Sequence, residues 1–311
     1  MEPEYNWKNF RLGTELQIAG SFIYNALSDI DKMWSLYFEE ECFEFLYNAS
    51  IGIERLQKIL LILLEKVHPE NQPEFEDSLI THSHLELMER INGLIQVKPD
   101  APHVKFLSVL TEFYKHTRYS RYRMDSAFKE GHDRHALIKF LQEELGVIID
   151  NASFVPTHLD RRMKSFISNI IGKISSLYYE AIENEARKYN MYTYEMASGS
   201  KAYKIFRCKE YTFEKERLLK RELLNFLFHL DEKDGLIKFI KEIQPIPFDI
   251  PNTDDIVKTL IYDRIDHFMM DELEHIYEEN PFDKERYKAI NILGEGYDFG
   301  DVGDIGDQIN S

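Results

Sequence analysis

Two cysteines, Cys42 and Cys208, are all that this chain of 311 residues contains. They are too few for a disulfide framework, and neither stands in a CxxC or Cys/His ligand spacing. A reducing, cytoplasmic setting is expected and zinc is not. Bases are also scarce: 38 Lys and Arg stand against 55 Asp and Glu, a formal net charge of -17. A surface that attracts polyanions throughout is excluded, although one local basic site is not. Long apolar runs are missing too. The longest, residues 59–64, is far short of the roughly 20 residues needed to cross a bilayer, so no membrane partner is expected. The opening MEPEYNWKNF has no basic stretch leading into an apolar core, as a secretory signal would. No GxGxxG, GxxxxGK[ST], HExxH or nucleophile elbow occurs, which removes the common enzyme signatures and leaves no cofactor to expect.

Helical periodicity is what the chain has in abundance. A hydrophobic content of 43% excludes disorder throughout. In FLYNASIGIERLQKILLILLE, residues 45–65, Leu46, Ala49, Ile53, Leu56, Leu60 and Leu63 recur at steps of three and four, with Glu54, Lys58 and Glu65 opposite. The unbroken apolar run at its end cannot hide against one neighbour. It needs a second partner, from the chain itself or from another copy, and a homodimer through the first unit is the expectation.

Residues 15–40 read as the first long helix, closed by two acids. HPENQPEFED breaks regularity, and a helix restarts at THSHLELMERI with Ser83 and Glu86 spaced as a capping box. VKPDAPHV reads as a loop before KFLSVLTEFYKHTRYSRYRM, where Leu107, Leu110, Phe113 and Tyr114 keep a helical period. HDRHALIKFLQEELG is a further helix stopped by Gly146. The first unit is placed at 1–150, a second helical region at 151–293, and an acidic glycine-rich tail at 294–311. Within the second region Phe166, Ile170, Ile174, Leu177 and Ile182 share one helical face. Strand-like alternation is limited to Tyr192, Tyr194 and Met196, so the fold class is all-α with at most one short strand pair.

The most unusual stretch is YKHTRYSRYRMDSAFKEGHDRH, residues 114–135. Lys115, Arg118, Arg121, Arg123, Lys129 and Arg134 outnumber Asp125, Glu130 and Asp133 there, reversing the sign of the chain as a whole. Arginine binds phosphate bidentately, and Tyr114, Tyr119 and Tyr122 offer faces for bases to stack on. The mix suits single-stranded nucleic acid or a nucleotide. His116, His132 and His135 can move protons near neutral pH. The alternative is a solvated helix end whose arginines pair with neighbouring acids. His82 and His84 form an HxH that flanks a helix start, a geometry that points the rings apart, away from a common metal. The tail triplets Gly300-Asp301, Gly303-Asp304 and Gly306-Asp307 lack the spacing of a calcium loop.

YNASIGIERLQKILLILLE, then THSHLELMERI, then an L-x-x-F-Y helix ending in RYSRY, resembles the HEPN superfamily of small all-α proteins over roughly residues 15–145. The resemblance implies a bundle of four or five helices that dimerises, found in toxin–antitoxin and antiphage systems. Its members are metal-independent ribonucleases or, without catalysis, modules that dimerise or bind nucleotides. A protein partner such as an antitoxin follows from the same resemblance. The family's arginine-then-histidine motif, with four to six residues between, is absent in strict form: none of the eleven histidines has an arginine at that distance before it. Carried over by position, Arg118, Arg121, His116 and His132 are the catalytic set, and Lys115, Tyr119, Tyr122 and Arg123 the nucleic-acid contacts. Glu54 and Lys58 fall at the polar positions of the family's second helix, where an exposed i,i+4 pair explains them equally well.

Overall fold

The computed structural model describes residues 3–122, 124, 132–150, 156–191, 198–230, 235–248, 253–263, 265, 267–279 and 284–294. A short turn, α1 (Pro3–Asn6), and a π-helical turn (Trp7–Arg11) run into α2 (Leu12–Lys32), followed by α3 (Glu39–Leu64). Then come α4 (Gln72–Ser78), α5 (His84–Leu94), α6 (Ala101–Glu112), α7 (His132–Leu145), α8 (Arg161–Lys188) and α9 (Lys201–Phe206). The rest of the chain holds α10 (Glu214–His229), α11 (Gly235–Glu242), α12 (Thr253–Tyr262), α13 (His267–Glu279) and α14 (Lys284–Asn291). Among the described residues the only β pairing is one isolated bridge, Ser35 with His158. The protein is all-α. The alternating tyrosines of 192–197 and the acidic tail from 295 onward lie outside the described residues.

Contacts divide the chain into 1–213 and 214–311, not near residue 150. The reason lies in α8. It packs on α3, α2 and α6, burying Ile167, Ile171, Ile174 and Tyr178 in the same core as Ile53 and Leu60. In the second unit α10 packs on α12, and Ile237, Phe239, Ile261 and Ile276 are buried.

The centre of the first unit is α3, touched by α2, α5, α6, α7 and α8. That accounts for its greasy end: Ile59, Leu60, Leu61, Ile62 and Leu63 are all buried by the chain itself. Each such side chain contributes about 1.5–3 kcal/mol on burial. The apolar run therefore gives no reason for a homodimer, and that expectation loses its basis.

The first long helix ends earlier than its periodicity predicts. Met33 turns extended, the Ser35 hydroxyl accepts from the Tyr37 backbone N–H at 3.3 Å, and the Leu159 N–H donates to the Trp34 carbonyl at 2.8 Å. These local bonds compete with helical ones and stop α2. Glu39 and Glu40, read as closing that helix, instead open α3 with Glu41, where carboxylates face the positive end of the helix dipole. Pro102 likewise sits in the first turn of α6, where its missing N–H costs nothing, so helix begins inside the expected loop. The irregular HPENQPEFED already includes the start of α4, at Gln72. Gly146 ends α7 as expected, at φ 64°.

Helices α2 and α3 meet at Gly52, where an added Cβ would lie 2.6 Å from Ile23 Cγ1 and 3.0 Å from the Ile23 backbone nitrogen. Backbone cannot yield as a side-chain tip does. Gly52→Ala is expected to cost about 1–3 kcal/mol, lowering Tm by several degrees in a melt followed by circular dichroism. A raised Tm, the result of helix propensity alone, would show slack at this crossing.

Candidate functional site

Three elements converge on one half-exposed surface. From α3 come Glu54 and Lys58, one turn apart. From the segment before α5 comes His82, and from the end of α6 come Tyr114 and Arg118. Ser83 caps α5 by accepting from the Glu86 N–H at 3.3 Å. The Glu86 carboxylate completes no capping box, because it accepts from Thr81 Oγ1 at 3.0 Å and from Lys115 Nζ at 2.6 Å. Lys115 holds that carboxyl below its ordinary range. Thr81 also accepts from the Ser83 N–H, at 3.3 Å. The residues flanking His82 are thereby fixed.

Past Glu112 the helix widens into a π-helical turn, Phe113–Thr117, closed by the Arg118 N–H donating to the Phe113 carbonyl at 2.9 Å. Such turns redirect the side chains that follow. The Arg118 guanidinium carbon lies 3.8 Å from the centre of the Tyr114 ring and 4.3 Å from that of Tyr119. Among the described residues it meets no carboxylate. The His82 ring lies against the same Tyr114, with centroids 4.5 Å apart. Burial pushes the Tyr114 phenol up, partly opposed by Arg118.

Glu54 is buried, its side chain 11% exposed, and it reaches Lys58 Nζ at 2.6 Å and His82 Nδ1 at 3.1 Å. The i,i+4 pair foreseen from the spacing exists, but it is not the exposed bridge expected. A carboxylate only accepts, so His82 donates Nδ1–H, and in the neutral ring Nε2 carries the lone pair. The His82 side chain is 45% exposed. An imidazole oriented by a buried carboxylate, with its second nitrogen free to accept, is the arrangement of a general base. Arg118, against the same Tyr114 ring and with no carboxylate partner among the described residues, is a donor for an oxyanion.

Of the residues expected at the site, the structure brings Arg118 and Tyr119 together and leaves Tyr122 86% exposed with its ring 6.2 Å from Tyr119. Lys115 is paired with Glu86, and His116 is exposed, with no bond to Arg118. The side chains of Arg121 and His132, and the whole of Arg123, lie outside the described residues. Arg134, counted with the basic run, is buried away from it, donating to the Tyr37 carbonyl at 2.7 Å. His82 and His84 go separate ways: His84 is fully buried, with Nδ1 3.0 Å from Gln57 Oε1. Among the described residues no three His, Cys, Asp or Glu form a metal-binding set, and no helix is long and apolar enough to cross a membrane.

His82 is the residue that sequence reasoning passed over. Its signal was the unusual HxH, read only as a metal spacing. Its partner Glu54 stands 28 residues earlier, and no local pattern joins the two. No protein-family model, curated protein or solved structure matches the chain.

Proposed function

We propose that the chain is an HEPN-like protein acting on RNA, a metal-independent endoribonuclease of a defence or toxin–antitoxin system, with His82 and Arg118 at its centre. One observation carries this reading: a histidine held by Glu54 and an arginine with no carboxylate partner among the described residues share the ring of Tyr114. His82 Nε2 takes the proton of a ribose 2′-hydroxyl, and the 2′-oxygen attacks the adjacent phosphorus. The Arg118 guanidinium donates to the phosphorane oxygens as their charge develops. The 5′-oxygen leaves as a hydroxyl, protonated by water or by the exposed His116, and the 2′,3′-cyclic phosphate remains. No cofactor enters. Tyr119 and Tyr122 supply exposed faces for the flanking bases.

The test is incubation of the purified protein with single-stranded RNA in excess EDTA. The expected result is cleavage to fragments ending in 2′,3′-cyclic phosphate and 5′-hydroxyl. Retained binding without cleavage favours the second reading, a catalytically inactive module that binds a nucleotide or a partner, for which the missing motif spacing speaks. The absence of both cleavage and binding overturns the first reading and leaves of the second only a module for a protein partner.

A further inference from the structure

Next to the Glu54–His82 pair lies a wholly buried trio. Gln57, His84 and Tyr178, from α3, α5 and α8, are all shielded from solvent. Gln57 Nε2 is 2.9 Å from the His84 carbonyl and 3.1 Å from the Tyr178 hydroxyl, so the amide donates to both. Its Oε1 must then accept from His84 Nδ1–H, 3.0 Å away. Gln57 thus grips both the backbone and the ring of His84. The two grips sit side by side on α3: Glu54 holds His82, and Gln57, three residues on, holds His84, two residues on.

We infer that Gln57 and His84 are positioning residues for His82, fixing the start of α5 so that His82 presents Nδ1 to Glu54 and Nε2 outward. The inference rests on reading His82 as the base, but its geometry is independent of activity. An imidazole whose Nδ1–H points at a carboxylate is locked in one tautomer only while the chain carrying it cannot slide along α3. Residue 83 is extended, so the flanking backbone supplies no helical restraint of its own. The amide of Gln57, bonded to the first residue of α5 at two points and to α8 at a third, supplies it instead. The function of such a shell is to hold a reacting group to within a fraction of an ångström.

The experiment is NMR of protein labelled with 15N-histidine, read beside RNA-cleavage kinetics, for the wild type, Gln57→Met, His84→Leu and His84→Asn. The wild type should show His82 as a single Nδ1–H tautomer. Gln57→Met and His84→Leu should show both tautomers, with kcat lowered roughly 10- to 100-fold, KM little changed and the acid limb of the pH–rate profile displaced. His84→Asn, whose amide can donate from near the Nδ1 position, should restore the single tautomer. Unchanged His82 signals and kcat in folded Gln57→Met overturn the inference while leaving the proposed function standing. A wild type inert toward RNA but tautomerically locked through Gln57 does the reverse. If Gln57→Met does not fold, the wild-type spectrum decides, because a mixed or Nε2–H tautomer there overturns the inference outright.

Discussion

His82→Ala is expected to lower the rate of RNA cleavage by about 10²–10⁴-fold, the usual contribution of a positioned base. The fold should barely notice. The His82 side chain is 45% exposed and its carboxylate partner keeps Lys58 at 2.6 Å, so removing the imidazole strands no buried charge. What is lost is one hydrogen bond from a half-exposed ring, about 0.5–1.5 kcal/mol. The measurement is a cleavage rate beside a thermal melt. A full-rate, stable His82→Ala would move the base elsewhere, first to His116.

Arg118→Ala separates phosphate binding from proton transfer. Loss of a donor to a developing oxyanion costs about 10²–10³-fold in kcat, and Arg118→Lys should recover only part, because lysine keeps the charge but loses the planar fork that stacks on Tyr114 and Tyr119. If Arg118→Ala instead unfolds the protein, the guanidinium is holding the two rings together, and RYSRY is structural.

Where the sequence was legible, one physical signal dominated: the 3.6-residue period. It predicted α3, α5, α7 and α8, because each turns an apolar face to a shared core, and Ser83 and Gly146 marked true ends. It failed where a local polar group outbid the period. At residues 33–38 the pattern of Met33 and Leu36 continues, and both are indeed buried, yet the Ser35 hydroxyl and the bond from Leu159 bend the chain between them. The site was half legible. The basic, aromatic stretch pointed to Arg118 and Tyr119 through composition. Its histidine was sought along the same stretch, at His116 and His132, whereas the structure supplies one from the segment before α5. Contact between Glu54, His82 and Tyr114 is a property of how α3, α5 and α6 pack, and composition cannot report it. Covering of the apolar end of α3 by α8, more than a hundred residues away, was invisible for the same reason.

Acid should destabilise the first unit through His84. Burial pushes this imidazole down to about 4 from an ordinary 6.5, so the folded protein keeps it neutral where the unfolded chain takes up a proton. Its contribution is complete above pH 6.5, is lost progressively as the pH falls toward about 4, and changes no further below that. At 1.36 kcal/mol per unit the loss is on the order of 3 kcal/mol. Several carboxylates titrate near the same pH, so the informative quantity is a difference. Denaturant unfolding of the wild type and of His84→Asn, followed from pH 7 to pH 4, should give curves that converge by about that amount, the wild type losing more. An NMR titration should place the His84 midpoint near 4, well below that of an exposed histidine. Parallel stability curves, or a midpoint near 6.5, would mean that water reaches the ring and that Gln57 does not hold it in a closed core.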